Sequence, residues 1–210
     1  MKKALFYFLS IFILITAVLS ARGSADVLIN EFMADPARDY DGDGDYNYRN
    51  DEWIEIINTG DSAVDLSGYL LCDGNEDGYF RYGFTGILQS GQIRIIFGSD
   101  SRIWEETNDF PIYGLSLNNS GDNVSLFRVG GSDTLLVDSI DYEDNAAQDD
   151  RSVGRSPENI NIWELFDAYN PCPECAPIGG NGYVPTPGSV NTCVTDAEKA
   201  SWGKVKSMCR

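Results

Sequence analysis

Asn30 to Gly60 reads NEFMADPARDYDGDGDYNYRNDEWIEIINTG, two β-prone runs around a loop that holds six carboxylates between Asp39 and Glu52. Like charges at that density repel, so the loop calls for open solvent or a hard cation. Working outward, the apolar run Val27 to Met33 precedes the loop, and EWIEIIN (Glu52 to Asn58) follows it and stops at a turn, Asn58-Thr59-Gly60-Asp61. Val64 to Leu71, Gln92 to Phe97, Asn123 to Arg128 and Leu136 to Tyr142 are further runs of strand length, separated by Gly, Asn, Asp or Ser. No stretch before residue 195 carries a helical period over three turns. Six short strands at this spacing predict an all-β sandwich or barrel.

Alternation predicts the buried faces. Val124 and Leu126 share one side, and in the second run Ile54 and Ile56 oppose Trp53, Glu55 and Ile57. A glutamate at position 55 is expected at a sheet edge, paired with Arg155 or Arg94, or on a solvated outer face. Trp163 and Phe166 in NINIWELF (Asn159 to Phe166) supply bulk to close an open end of the sandwich.

The amino terminus is an address. Lys2 and Lys3 precede the apolar run Ala4 to Leu19, and small residues follow at Ser20 and Ala21, the layout of a secretory signal peptide spanning residues 1–21. Its removal leaves 13 basic against 33 acidic side chains, a net charge of −20. Such a surface repels nucleic acid and anionic lipid and attracts divalent cations and basic partners. No later segment is apolar enough to span a membrane. About 190 mature residues suit one domain with its own core.

Histidine is absent, which removes Ser-His-Asp and Cys-His catalysis and His-ligated zinc. Carboxylate chemistry survives. A carbohydrate hydrolase needs two acids across a cleft, and Tyr79, Phe80, Tyr82 and Phe84 are available to stack sugars, but packing accounts more simply for Tyr79, Phe80 and Phe84, and no motif ties them to a pair of acids. Five cysteines, Cys72, Cys172, Cys175, Cys193 and Cys209, meet an oxidising compartment. The expected bridge joins Cys193 to Cys172 or Cys175; a zinc site at CPEC lacks ligands.

Two calcium registers fit the loop. Asp39, Asp41 and Asp43 before Gly44, with Asp45 following, match the opening of an EF-hand loop; alternatively Asp41, Asp43, Asp45 and Asn47 lead to Glu52 at the twelfth position, with Tyr46 where glycine belongs. No helices flank either, so the expectation is a calcium staple outside an EF-hand, or an acidic solvated loop. Asp73 to Gly78 (DGNEDG) repeats the spacing more weakly.

The order of the pieces resembles the lamin-tail domain, an immunoglobulin-like β-sandwich found in nuclear lamins and many secreted bacterial proteins. Asn30-Glu31 with Met33 and Asp35-Pro36, Glu52 to Glu55 through Asn58, Leu66 to Leu70, Gly91 to Phe97 and Asn119 to Leu126 carry the likeness, closed by Ser152 with Arg155 and by Thr186-Pro187-Gly188 with Asn191. It spans Asp26 to Asn191. Tyr69 stands where the family usually has Trp, and the cysteine-bearing insertion between Phe166 and Thr186 has no family role. The resemblance implies a non-catalytic binding, tethering or structural module of the bacterial envelope or surface, with a protein or envelope component as partner.

After Asn191 the chain runs TCVTDAEKASWGKVKSMCR. Residues 192–210 are expected to form a basic tail: a frayed end with a short helix packing Trp202 on the domain, or a handle for sorting or attachment.

Overall fold

The computed structural model describes residues 26–74, 79–175 and 178–195. The expected signal peptide, most of the second acidic run (residues 75–78) and the tail from residue 196 lie outside them. Eleven strands and one helix follow in chain order: β1 (Val27–Met33), β2 (Trp53–Asn58), β3 (Val64–Asp65), β4 (Tyr69–Asp73), β5 (Tyr82–Gly83), β6 (Ile87–Leu88), β7 (Ile93–Phe97), α1 (Gly98–Thr107), β8 (Gly121–Gly130), β9 (Asp133–Glu143), β10 (Ser152–Arg155) and β11 (Trp163–Phe166). One sheet is ordered β11-β10-β1-β2-β7 and a second β5-β4-β8-β9, with a small β3–β6 ladder. All the pairings within them are antiparallel. The fold is an immunoglobulin-like β-sandwich. Its core is closed by Ile29, Phe32, Ile54, Ile56 and Val153 of the first sheet against Leu71, Val124 and Leu126 of the second. No helix among the described residues is long and apolar enough to cross a membrane.

Four local expectations are corrected. Val64 to Leu71 is two strands, because a turn closed by Tyr69 N–H on Leu66 O (2.9 Å) divides it. Trp163 to Phe166 is an edge strand paired with β10, not a plug in an open end. Gly98–Thr107 is helical although it lacks an apolar stripe. Its inward face is Gly98, Ser101 and Glu105, small or polar side chains at helical spacing, so hydrophobic periodicity has nothing to register. Ser101 donates to Arg81 O (2.6 Å), and the Glu105 carboxylate accepts from Tyr113 N (2.7 Å) and Gly114 N (2.8 Å). The bridge joins Cys172 to Cys175, with Cα atoms 5.4 Å apart, while Cys193 is exposed outside it. The CPEC turn already brings its own two ends to bridging distance, with Cys175 N–H on Cys172 O at 3.2 Å, so no distant partner is needed.

β1 is bulged between Ile29 and Glu31. The bulge leaves Asn30 without a register partner on β2, while Ile29, still opposite Ile56, sends its N–H to Asp138 of β9 (2.9 Å) and its carbonyl accepts Arg155 Nε (2.6 Å). Arg155 also pairs with Asp138 (2.6 Å) and lies over Trp163, so one arginine ties both sheets together.

Candidate functional site

The acidic loop leaves the end of β1 and returns at the start of β2. Asp51, fully buried, holds it: one carboxylate oxygen accepts from Tyr40 N (2.6 Å) and Asp41 N (3.0 Å), the other from Asn47 N (2.8 Å). The other shoulder rests on Asp150, which takes Ala37 N (3.0 Å), the Tyr40 hydroxyl (3.1 Å) and Arg38 (2.7 Å). Gly42 and Gly44 have φ of 76° and 94°, the left-handed region that glycine enters without a Cβ penalty. That curl wraps the chain around Asp39, whose carboxylate accepts from Gly42 N (2.7 Å) and Gly44 N (3.0 Å).

The result brings ligand oxygens of Asp39, Asp41 and Asp43 within 4.8 Å of one another. Asp45 lies outside that trio, its N–H donating to Asp43 (2.8 Å). Asn47 spends its side-chain oxygen on a turn, accepting from Arg49 N (3.1 Å) and Asn50 N (3.2 Å). Glu52 turns inward and accepts from Leu117 N (3.1 Å). Burial pushes its carboxyl up to about 8, against hydrogen bonds from Leu117 and Ser116 and the Arg49 charge. Sequence reasoning did not single out Asp51 as the loop's organiser. Its position, next to the returning strand and followed by the buried Glu52, was the available signal.

The loop base is clamped onto α1. Gly98 N donates to Glu52 O (2.8 Å) and Ser99 N to Asn50 O (3.2 Å), and a Cβ on Gly98 would sit 1.8 Å from Arg49 O. That neighbour is backbone and has no rotamer to yield. Gly98→Ala is expected to destabilise the domain by roughly 3 kcal/mol or more, read as a lower urea midpoint; a wild-type midpoint would refute this packing.

Asp73, which opens the second acidic run, is 1% exposed and pairs with Arg81 (2.8 Å). Arg81, equally buried, also faces Glu105 at 3.6 Å. The aromatic run spends its rings on neighbours: Tyr79 on Phe110, Phe80 on Phe127, and Tyr82 on Phe84 and Trp104.

A second acid pair lies on the outer face of the first sheet. Glu31 and Glu55 are direct register partners and wholly buried. Glu55 meets neither arginine expected for it, since Arg155 serves Asp138 and Arg94 stands opposite Ile56. It sits in mid-sheet and accepts from Asn30 Nδ2 (2.6 Å) and Gly188 N (2.8 Å). Glu31 accepts from the hydroxyls of Ser152 and Thr186 and from Thr186 N (3.1 Å). Asn191 accepts from Asn30 Nδ2 (2.6 Å) and donates to Arg155 O (2.7 Å). Residues 186–191 thus form a strap over the sheet that covers the outer face of β2 at Glu55, while Tyr40 of the acidic loop packs on Trp53 of the same strand.

Burial, then the Glu31 charge, pushes Glu55 up to about 9, against the bonds from Asn30 and Gly188. An unfolded Glu55 ionises near the ordinary glutamate value of 4.5, so above that pH the native state binds more protons than the unfolded one. Stability from this group is complete below pH 4.5 and is lost as pH rises toward about 9. Melting midpoints are expected to fall across that window and to fall less steeply in Glu55→Gln; equal slopes would refute the assignment.

No curated protein matches this chain. The model of the lamin tail domain matches residues 20–144, through the end of β9. β10, β11 and the strap follow the matched span, yet β10 pairs directly with β1 and completes the same sheet. With more than half its length matched and an immunoglobulin-like sandwich beneath the match, this chain belongs to the lamin tail domain family.

Proposed function

We propose that the protein is a secreted binding or tethering module of the bacterial envelope or surface, and that calcium bound by Asp39, Asp41 and Asp43 rigidifies its acidic loop. The family is an immunoglobulin-like, non-enzymatic fold, which supports the module reading. The observation that carries the calcium reading is the convergence of three carboxylates on a loop whose shape is already fixed by Asp51 and Asp150. Preformed oxygen ligands spare a cation the cost of ordering the loop, and weak sites of this kind fill at extracellular calcium levels. Asp45 lies next in the chain and is the candidate to complete the shell, since the Asn47 side-chain oxygen is committed to Arg49 N and Asn50 N. The apolar leader supports secretion, and the net charge of −20 supports a basic partner over nucleic acid.

Calorimetric titration is expected to show one calcium per chain, lost in Asp39→Asn. Pull-down from the native envelope with calcium and with chelator is expected to recover a partner more strongly with calcium. No calcium uptake, or uptake undiminished in Asp39→Asn, would refute the loop assignment; recovery of nothing under either condition would count against the tethering role.

A further inference from the structure

Beside the acidic loop lies a cavity of about 200 Å³ with Glu52 at its floor and Tyr48, Arg49, Ser116, Asn118 and Asn119 around it. Glu52 is 3% exposed, and its hydrogen bonds come from the Ser116 and Leu117 backbone. No cationic side chain among the described residues pairs with it within ion-pair distance. Arg49 reaches the Tyr48 hydroxyl (3.4 Å) and Tyr113 O (3.3 Å), both neutral acceptors. The two side-chain amides of the wall are already committed: Asn118 Nδ2 goes to Asp122 (2.6 Å), and the Asn119 side chain bonds Asp35. What the cavity offers a ligand is acceptor capacity and a buried carboxyl. A divalent cation wants six or more oxygens, several of them charged, and one carboxyl with an arginine at the rim is a poor cage. A compact cation with three N–H donors is the better complement.

We propose that this cavity binds a primary ammonium group, seated on Glu52 with its carbon stem against the exposed Tyr48 ring. Two sources share that chemistry, a lysine side chain of a partner and a free α-amino acid, whose carboxylate would meet Arg49. The site goes beyond the calcium reading, and saturating calcium throughout the titration keeps the two independent.

The test is a chemical-shift titration of the full domain with an end-blocked lysine tripeptide, its norleucine counterpart and free alanine. A pH of about 9 lies above the Glu52 value of about 8 and below that of ordinary lysine, about 10.4. Saturable shifts confined to the cavity are expected with the lysine peptide or with alanine but not with norleucine, and binding should weaken at least tenfold, roughly, in Glu52→Gln. Tyr48→Ala, on the exposed rim, should weaken it too and serves if Glu52→Gln fails to fold. Arg49→Ala separates the sources, tightening the lysine peptide and weakening alanine. Norleucine binding as well as lysine, both amines failing to bind, or Glu52→Gln and Tyr48→Ala binding like the wild type would overturn the proposal.

Discussion

Replacing Arg81 with methionine is expected to cost about 3–5 kcal/mol, the usual consequence of removing one member of a buried ionic group. The side chain is 1% exposed and lies between Asp73 and Glu105, themselves 1% and 0% exposed. Methionine fills much of the volume but leaves two carboxylates in the interior without their cation. Glu105 keeps its backbone donors Tyr113 and Gly114, so Asp73 should suffer more. A double-mutant cycle with Asp73→Asn should recover part of the loss. For a domain of this size the melting midpoint should drop by roughly 6–20 °C. A drop under about 2 °C would mean that the pair is solvated in the native state.

The strap supplies the second large effect. Glu31→Leu is close in volume but leaves the Ser152 hydroxyl and both donors of Thr186 without their acceptor. Ser152 is fully buried and Thr186 partly so, and the Thr186 hydroxyl keeps Asn191 Oδ1 at 3.3 Å, so at about 1–3 kcal/mol for each buried donor orphaned the loss should reach roughly 2–4 kcal/mol. Its location is as diagnostic as its size. Amide exchange should accelerate first at Thr186 and Gly188, whose N–H groups are tied to Glu31 and Glu55, before the β4–β8 ladder of the other sheet is affected. Uniform acceleration across both sheets would show that these acids do no more than fill the face.

That strap also shows what the sequence made legible. Asn30-Glu31, Glu55 and Thr186-Pro187-Gly188 with Asn191 could be recognised in order, because each is a local pattern. That they touch could not, since the contacts join positions 133 to 161 residues apart. Glu55 misled for a related reason: alternation describes one covered face, and here the strap covers the second. β2, β7, β8 and β9 were visible as short apolar-rich runs bounded by turn residues. α1 was not, since its inward face is glycine, serine and glutamate. β10 is only Ser-Val-Gly-Arg, too short and too polar to announce itself, although it sits between β1 and β11. In the acidic loop the spacing of Asp39, Asp41 and Asp43 pointed to a group that does converge. The two registers could not be separated from spacing alone, because the inward turn of Glu52 depends on the Leu117 N–H, 65 residues away.

The most direct test of calcium as the staple of this module is a pair of melting curves, one in calcium and one in chelator, with magnesium as a control. If the site has a dissociation constant of about 10⁻⁴ M, as extracellular modules commonly do, then about 10 mM calcium adds roughly 2.7 kcal/mol. The midpoint should then rise by roughly 5–10 °C. The rise should vanish in Asp39→Asn and be small with magnesium. Coincident wild-type midpoints in calcium and chelator would contradict the account and leave Asp39, Asp41 and Asp43 as a solvated acidic turn.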